Sequence, residues 1–315
     1  MVEQKRSYIL PQDIKVETYV NKNPNASGFY SDINNTQYEG LLKWKQQLRD
    51  ENLVTDFEYY HDLFLLRYLR ARKFDLKKTH EMFVKYMKWR VDDKVGEIED
   101  WEFTEQLDMK KLYPHGYHNT DKYGRPIYID MISKADITNL LKKTDEERLT
   151  KYWIQEYERV LRYRFDCCGI KFGKIIEQSC TIVCASGLGI GALTGQVKKF
   201  MGIASNIGQN YYPEMLGNMY IINTGFFFRA VYAIAKAFID EKTAKKITML
   251  GTDYVKELSK FIDMDQFPKM LGGKCECSNI KGGCLYADIG PWNPEGGLGL
   301  RYGTDMFDKV QIDKQ

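Results

Sequence analysis

The sequence predicts an α/β fold in which a mainly parallel sheet follows a helical N-terminal unit. After Trp101, short apolar runs typical of buried strands alternate with longer segments of helical periodicity. Before that point, the apolar residues recur at helical spacing. Strands that alternate with helices form crossover units, whose strands run parallel and whose helices cover the sheet.

The N-terminal part contains three predicted amphipathic helices after a polar segment. Residues 1–35 are polar and are predicted to form an extended or mobile arm. The helices are expected at 38–53, 57–73 and 76–91. Asp75 is a suitable N-cap for the third helix, because its carboxylate can accept a hydrogen bond from the first turn. We assign residues 36–96 to a small helical unit.

Four strands and three helices are predicted in the remainder of the chain. The strands are RPIYIDMI at 125–132, TIVCAS at 181–186, MYIIN at 219–223 and ITML at 247–250. The helices are expected at 145–164, 192–206 and 227–237. We assign residues 97–284 to this α/β domain. Residues 285–315 begin with a stretch rich in Gly and Pro and are expected to wrap its surface.

Composition and charge narrow the class of protein. Of the 315 residues, 43% are hydrophobic and 28% are charged, which is ordinary for a globular protein. The net charge of +3 gives no strong overall field for nucleic acid. The first residues, MVEQKRSYIL, lack a signal-peptide hydrophobic region, so a cytoplasmic protein is expected. Seven cysteines, an odd number, suit a reducing compartment and argue against a disulfide framework.

The apolar run MYIINTGFFFRAVYAIAKAF at 219–238 is long enough to cross a bilayer. Asn223, Arg229 and Lys236 interrupt it, and Gly225 divides it. We therefore predict a buried strand followed by a helix that lies in a core, covers a lipid-filled cavity or touches a membrane from outside. One face of that helix is expected to carry Phe227, Val231, Ile234 and Phe238.

The motif GLGIGA at 187–192 follows a predicted strand and precedes a predicted helix, as in dinucleotide-binding folds. A glycine-rich turn there would let a pyrophosphate approach the helix N-terminus. Such sites also need an acidic residue at the end of the next strand, where this chain has Asn223 and Thr224. A flexible turn and no cofactor are therefore favoured. A nicotinamide-dependent oxidoreductase is the alternative from another class.

The sequence lacks the common catalytic motifs. It contains no G-x-S-x-G, H-E-x-x-H, P-loop or kinase signature, so no enzyme is expected. His115 and His118 lie among aromatic and turn residues and are expected to pack and hydrogen-bond in a loop. Cys275, Cys277 and Cys284 form a cluster whose spacing matches no zinc pattern, and the histidines are far away in sequence. We expect free thiols and no metal.

Two groups of residues could bind a polar head group. In LLRYLRARKF at 65–74, Arg72 and Lys73 fit an anion site and simple helix-dipole electrostatics equally well. The second group is Tyr117, Tyr128, Tyr157, Ser179 and Thr181. Ser179 and Thr181 are two apart on a strand and point to the same side. Such aromatic faces and hydroxyls could hold a quaternary ammonium and its phosphate, but they also fit an ordinary aromatic core.

Six segments resemble the CRAL-TRIO lipid-transfer family, and in particular its phosphatidylinositol/phosphatidylcholine transfer branch. They are LLRYLRARKFDLKKTHEMFVKYMKWR, YHNTDKYGRPIYI, QEYERVLRYR, EQSCTIV, SNIGQNYYPEMLGNMYIIN and GGKC with KGGCLYADIGPW. The resemblance covers about residues 36–293 in consistent order. It implies an N-terminal helical unit packed on an α/β lobe, whose sheet floors a hydrophobic pocket for one phospholipid. A mobile helix would gate the pocket.

The resemblance also implies roles for individual residues. The phosphatidylcholine head group would contact Tyr117, Tyr128, Tyr157, Ser179 and Thr181. The phosphatidylinositol head group would contact Arg72, Pro126, Glu214, Thr243 and Lys246, with Glu214 and Lys246 as a charged pair. The gate helix and its hinge would comprise Thr224, Gly225, Phe226, Phe227, Phe228, Val231, Ile234 and Phe238. Both head-group sets are complete, which implies dual specificity.

The resemblance implies a cytoplasmic, non-catalytic carrier whose only bound group is its phospholipid cargo. A monomer would dock transiently on Golgi or endosomal membranes, exchange phosphatidylinositol for phosphatidylcholine and present the inositol lipid to lipid kinases. No nucleic acid would bind. The alternative within the binding class is a carrier of a tocopherol, retinoid, sterol or squalene. Glu214, Thr243 and Lys246 argue instead for a charged head group.

Overall fold

The computed structural model describes residues 7–188, 194–226, 228–238 and 241–310. The chain divides into two compact units. The first is Met1–Glu99 with Asn210–Glu214, and the second is Asp100–Gln209 with Met215–Gln315.

Three helices form the core of the first unit, as the periodicity predicts: α1 Asn35–Asp50, α2 Asp62–Ala71 and α3 Leu76–Asp92. Side-chain caps set where they begin. Asp75 accepts a hydrogen bond from the Lys78 amide at 3.1 Å, as expected. His61 caps α2 by accepting from the Phe64 amide at 3.2 Å. That cap explains why α2 begins later than the predicted 57–73.

The segment before α1 is packed against this unit. Val16 and Ile33 are fully buried. Strand β1 (Val20–Asn21) pairs with β2 (Ile33–Asn34). Arg70 of α2 donates to the Gly28 carbonyl at 3.2 Å, and its guanidinium lies 3.9 Å from the centre of the Phe29 ring. From residue 7 onward, the predicted arm is therefore ordered by the helix beside it.

The second unit is built on a five-stranded sheet with the order β3-β4-β5-β6-β7. The strands are β3 His115–Thr120, β4 Pro126–Asp130, β5 Ser179–Cys184, β6 Leu216–Ile222 and β7 Ile247–Met249. β3 and β4 are antiparallel, and the remaining pairs are parallel. The predicted α/β class with a mainly parallel sheet is confirmed.

Strand β3 corrects one prediction. His115 and His118 were expected in a loop, because HGYHNT has neither an apolar run nor β-branched residues apart from Thr120. The segment is a strand that hydrogen-bonds to β4 and alternates in burial. Tertiary pairing thus overrides the low strand propensity of this segment.

Nine helices lie in the described part of the second unit and its boundary: α4 Gln106–Leu112, α5 Ile137–Leu140, α6 Glu146–Arg159, α7 Phe165–Phe172, α8 Gly195–Asn210, α9 Phe228–Ala235, α10 Glu241–Ala244, α11 Tyr254–Leu258 and α12 Cys284–Ala287. A π-helical turn, Val160–Arg164, joins α6 to α7. Within the described ranges, no helix combines the length and apolar character that a membrane crossing requires.

The two faces of the sheet differ in burial. One face packs against α11 and the chain that follows it through apolar residues that are almost completely buried: Ile127, Ile129, Cys180, Ile182, Ile222, Leu258, Phe267 and Leu271. The opposite face carries half-buried side chains, namely Tyr128, Thr181, Val183, Met219 and Ile247. Parallel sheets are normally covered on both faces. The half-buried face is therefore the natural place for a bound molecule.

Candidate functional site

A continuous patch of tyrosine rings and hydroxyls lies on the half-buried face of the sheet. Tyr117 and Tyr128 are direct neighbours across β3 and β4, with ring centroids 5.1 Å apart. Thr181 pairs in register with Tyr128 on the other side. Ser179 lies two residues earlier on β5 and so points the same way. The structure thus brings together four of the residues predicted for the choline head group.

Tyr157, the fifth of these residues, lies on α6. A Cβ built on Gly208 would lie 2.8 Å from the Tyr157 hydroxyl, so the absence of a side chain at Gly208 leaves room for the phenol. Burial raises the pKa of Tyr117 far above its ordinary value although Arg164 opposes the shift, and burial also raises the pKa of Tyr157. Both phenols are therefore neutral hydrogen-bonding groups at physiological pH.

A buried ionic cluster lies beside this patch, and the sequence did not predict it. The Arg164 guanidinium is 4.2 Å from the centre of the Tyr117 ring. It forms ion pairs with Glu156 and Asp288, both at 3.1 Å. Although burial alone would raise the pKa of Glu156, Arg164 and Arg159 hold it below its ordinary value. The Arg164 guanidinium therefore packs against the Tyr117 ring and holds it in place, while Glu156 and Asp288 balance the charge of the guanidinium.

The π-helical turn carries Arg164 into this position. Arg164 is 1% exposed, which is rare for arginine unless its charge is paired. π-helical turns are uncommon and often occur at functional sites. The segment QEYERVLRYR contains Glu156, Arg159 and Arg164. The sequence does not show that these charges are buried together, because other charged residues precede them along α6.

The residues predicted for the inositol head group belong to different units. Arg72 ends α2 and Glu214 lies in the first unit, where the Glu214 carbonyl accepts a hydrogen bond from Arg67 at 3.4 Å. The other three residues belong to the second unit: Pro126, Thr243 and Lys246. The predicted charged pair between Glu214 and Lys246 joins the two units and stays a prediction.

Within the second unit, Lys246 and Ser179 meet the same short piece of backbone. Lys246 Nζ donates to the Leu216 carbonyl at 2.6 Å. Ser179 Oγ donates to the adjacent Met215 carbonyl at 3.2 Å. Thr243 lies one turn before Lys246, and its carbonyl accepts from the Lys246 amide at 3.0 Å. The start of β6 therefore holds one residue from each predicted head-group set in place.

The predicted gate is a helix, and it packs on the same sheet face near the C-terminal ends of β5 and β6. Phe228 and Val231 of α9 are buried against Ala185 and Ile221. The predicted apolar face included Ile234, which is 36% exposed, so the buried face is turned toward Phe228 instead. Phe227 and the side chain of Phe238 lie outside the described part of the structure.

The hinge before α9 is anchored on one side and open on the other. Thr224 donates to the Leu250 carbonyl through its amide at 3.1 Å and its hydroxyl at 2.8 Å. A Cβ at Gly225 would meet no atom within 4 Å, so packing does not restrict this residue. Phe226, two residues before α9, is 91% exposed. The glycine-rich turn at 187–192 lies mostly outside the described residues.

Asp130 is a carboxylic acid on this otherwise aromatic and apolar face. Tyr113 donates a hydrogen bond to its Oδ2 at 2.8 Å. Its Oδ1 is buried and has no hydrogen-bond partner within the described part of the chain. Burial raises the pKa of Asp130 to about 6, although the Tyr113 hydrogen bond opposes the shift. Ionising this group therefore costs free energy in the folded protein.

Replacing Asp130 by Asn should change how stability depends on pH. Between about pH 4 and about pH 6, the unfolded chain ionises Asp130 while the folded protein keeps the proton, so its contribution to stability falls as pH rises. Relative to the wild type, the free energy of unfolding of Asp130→Asn should rise by up to about 3 kcal/mol between about pH 4 and about pH 7. Urea denaturation at several pH values measures this difference.

Asp136→Asn provides the control of opposite sign. The Asp136 carboxylate caps α5, and its hydrogen bonds with Asn139 lower its pKa. Relative to the wild type, the free energy of unfolding of Asp136→Asn should therefore fall as pH rises. Parallel pH profiles for Asp130→Asn and Asp136→Asn would show that the Asp130 carboxyl is not perturbed by burial.

Comparisons with known proteins agree with this architecture. Residues 110–273 match the CRAL/TRIO domain, and residues 37–85 match the CRAL/TRIO N-terminal domain. The chain is 42% identical to the SEC14 cytosolic factor of Kluyveromyces lactis, over 77% of this chain and 80% of that protein. It is 38% identical to the Sec14 cytosolic factor of Schizosaccharomyces pombe, over 89% of this chain and 96% of that protein.

A plant protein and a solved structure extend the comparison. The phosphatidylinositol/phosphatidylcholine transfer protein SFH11 of Arabidopsis thaliana is 40% identical over 74% of this chain and 62% of that protein. The crystal structure of Sfh5 superposes with a TM-score of 0.54 at 16% identity, covering 94% of this chain and 88% of that one. This last similarity concerns the fold alone. The chain belongs to the CRAL/TRIO family, among the homologues of the Sec14 and SFH phosphatidylinositol/phosphatidylcholine transfer proteins.

Proposed function

We propose that this protein binds one phospholipid on the half-buried face of its sheet and transfers phosphatidylinositol and phosphatidylcholine between membranes without catalysing a reaction. The observation that carries the proposal is the patch of Tyr117, Tyr128, Ser179 and Thr181 beside the apolar residues of the same face. The relatives named as phosphatidylinositol/phosphatidylcholine transfer proteins support the choice of lipid.

The chemistry of the patch suits a choline phospholipid. Tyrosine faces attract a quaternary ammonium by cation–π interaction. The Thr181 hydroxyl is half-buried and can donate to a phosphate oxygen. Farther along the same face, Val183, Met219 and Ile221 offer apolar contact for acyl chains. For the inositol lipid, the ammonium of Lys246 at the start of β6 supplies the positive charge that a phosphate needs.

Energetics make membrane contact necessary for exchange. Two acyl chains of about 16 carbons each, at about 0.8 kcal/mol per CH₂, gain about 25 kcal/mol on leaving water. Spontaneous release of the lipid into water is therefore negligible. Exchange at a bilayer is close to neutral, because an incoming lipid restores the same burial. The exposed Phe226 ring beside the open Gly225 suits contact with a bilayer while α9 moves.

The cellular setting follows from this activity as part of the proposal. A monomer would act from the cytoplasm, touch Golgi or endosomal membranes transiently and present phosphatidylinositol to lipid kinases. Each exchange would couple the supply of inositol lipid to the level of choline lipid. The proposed activity requires neither a nucleic-acid partner nor a cofactor.

Lipid extraction from the purified protein tests the proposal. Mass spectrometry after expression in a eukaryotic host should find close to one phospholipid per chain, drawn from phosphatidylinositol and phosphatidylcholine. Exchange of labelled lipid between two vesicle populations should require the protein and should need no nucleotide. Recovery of a sterol, tocopherol, retinoid or squalene instead, or of a bound nicotinamide nucleotide, would contradict it.

A further inference from the structure

Three cysteines and one histidine converge in the second unit. The ligand atoms of His118, Cys275, Cys277 and Cys284 all lie within 4.8 Å of one another. The sulfur atoms of Cys275 and Cys277 are 3.5 Å apart. In a tetrahedral zinc site with Zn–S bonds of about 2.3 Å, neighbouring sulfurs lie about 3.8 Å apart. Side-chain movements of about 1 Å would therefore bring all four atoms to bonding distance of one ion.

His118 contributes a buried imidazole nitrogen to this cluster. It is 1% exposed, and its Nδ1 is buried with no hydrogen-bond partner in the described residues. Its other ring nitrogen lies 3.5 Å from the Asn119 side-chain amide. An unpaired buried polar atom destabilises the folded protein, and coordination to a metal ion would remove that cost.

The backbone around the cysteines holds them in place by its own hydrogen bonds. The Cys275 amide donates to the Phe267 carbonyl at 3.0 Å, and the Cys275 carbonyl accepts from the Lys269 amide at 2.8 Å. The Cys277 carbonyl accepts from the Ile280 amide at 2.9 Å. Cys284 begins α12, and its sulfur lies 3.3 Å from the Cys275 carbonyl oxygen. These hydrogen bonds fix the backbone that carries the three cysteines, so their side chains are held close together.

We propose that His118, Cys275, Cys277 and Cys284 bind one zinc ion in a closed structural site. Three sulfur ligands and one imidazole are a common donor set for structural zinc. Soft sulfur ligands disfavour magnesium, calcium and manganese. Four protein ligands leave no open position for water, so this zinc has no catalytic role. Free thiols were expected because His118 is far from the cysteines along the chain. In the fold, β3 lies against α12 and brings His118 close to the cysteines in space.

The site lies on the opposite face of the sheet from the lipid patch. His118 follows Tyr117 on β3 and is buried where Tyr117 is half-buried, as expected for successive side chains that point to opposite faces. Zinc would join this edge strand to the segment that carries α12 and, four residues after Cys284, Asp288. Asp288 pairs with Arg164 beside Tyr117. The ion would therefore secure the floor of the lipid site without touching the lipid.

Metal analysis of the full chain tests this proposal. The protein, purified under reducing conditions without a metal-affinity column, should contain one zinc per chain by plasma mass spectrometry. Cys284→Ser and His118→Ala should each reduce the content at least fivefold. Cys167→Ser should keep one zinc, because Cys167 is an equally buried thiol on α7. Wild type loaded with Co²⁺ should show thiolate charge-transfer absorption and the intense d–d bands of a tetrahedral site.

Measurements on the wild type keep the proposal open to refutation if a variant fails to fold. Wild-type protein with zinc at background level, and no thiolate charge-transfer band on adding Co²⁺, overturns it. A disulfide among these cysteines in freshly purified protein without zinc also overturns it. Equal zinc in Cys284→Ser, His118→Ala and the wild type would show that the metal binds elsewhere. Loss of zinc with phospholipid still bound leaves the lipid function intact, so the two proposals are tested separately.

Discussion

Replacing both Ser179 and Thr181 by isoleucine should lower phosphatidylcholine transfer at least about 10-fold while leaving phosphatidylinositol transfer within about twofold of the wild type. A hydrogen bond to a charged group contributes about 1.5–3 kcal/mol, and the one from the Thr181 hydroxyl to the phosphate would be lost. Isoleucine is well suited to strands, so the sheet should survive. The Met215 carbonyl loses the Ser179 hydroxyl at 3.2 Å but keeps the Ser179 backbone amide at 2.8 Å.

Lys246→Ala should have the reverse selectivity. Without the ammonium group, transfer of phosphatidylinositol should fall about 10-fold or more, and transfer of phosphatidylcholine should continue. The Leu216 carbonyl loses Lys246 at 2.6 Å but still accepts from the Gln178 side chain at 3.2 Å. Loss of function in this variant would therefore not reflect an unpaired buried carbonyl.

Two control variants are matched in position to these changes. Val183→Ile adds one methylene group on the same face of β5 but removes no hydroxyl. Lys245→Ala removes the neighbouring lysine, which pairs with Glu241 at 2.8 Å on the surface. Both controls should transfer the two lipids in the wild-type ratio. Transfer of each labelled lipid between vesicles gives the measurement, and an equal loss of both lipids in each test variant would contradict the residue assignment.

The fold class was predictable because the central strands carry their own signal. β4, β5 and β6 are apolar runs buried on at least one face, and the helices between them have clear periodicity. β3 was not predictable in this way. Its Gly116 and polar residues become a strand only because β4 pairs with them. Edge strands of low propensity depend on tertiary context, which a single sequence does not display.

The site was predictable only where its residues are neighbours in the chain or match a family pattern. Ser179 and Thr181 share a strand face, and that follows from their spacing alone. The pairing of Arg164 with Asp288 joins positions 124 residues apart. His118 and Cys284 likewise meet only through the contact of α12 with β3. Such pairs have no local signature, since the sheet and not the sequence spacing brings them together.

Arg164→Met should destabilise the second unit by about 3–5 kcal/mol, the usual cost of removing one partner of a buried ion pair. Glu156 and Asp288 would be left with uncompensated charge, and the Tyr117 ring would lose its support. Typical domains are stable by about 5–15 kcal/mol, so this is a large fraction of the total. Urea denaturation should show a lower midpoint with an unchanged dependence on urea concentration.

A double-mutant cycle separates the pairing from other effects of the substitution. Asp288→Asn alone should also destabilise the protein, because it leaves Arg164 with less compensation and weakens the contact with Tyr302. The double variant Arg164→Met, Asp288→Asn should lose less stability than the sum of the two single changes, because the second substitution removes a charge that the first left unpaired. Strict additivity would contradict a direct ion pair. If Arg164→Met lowers the free energy of unfolding by less than about 1 kcal/mol, the value would be typical of a solvent-exposed ion pair and would contradict a buried guanidinium beneath the lipid site.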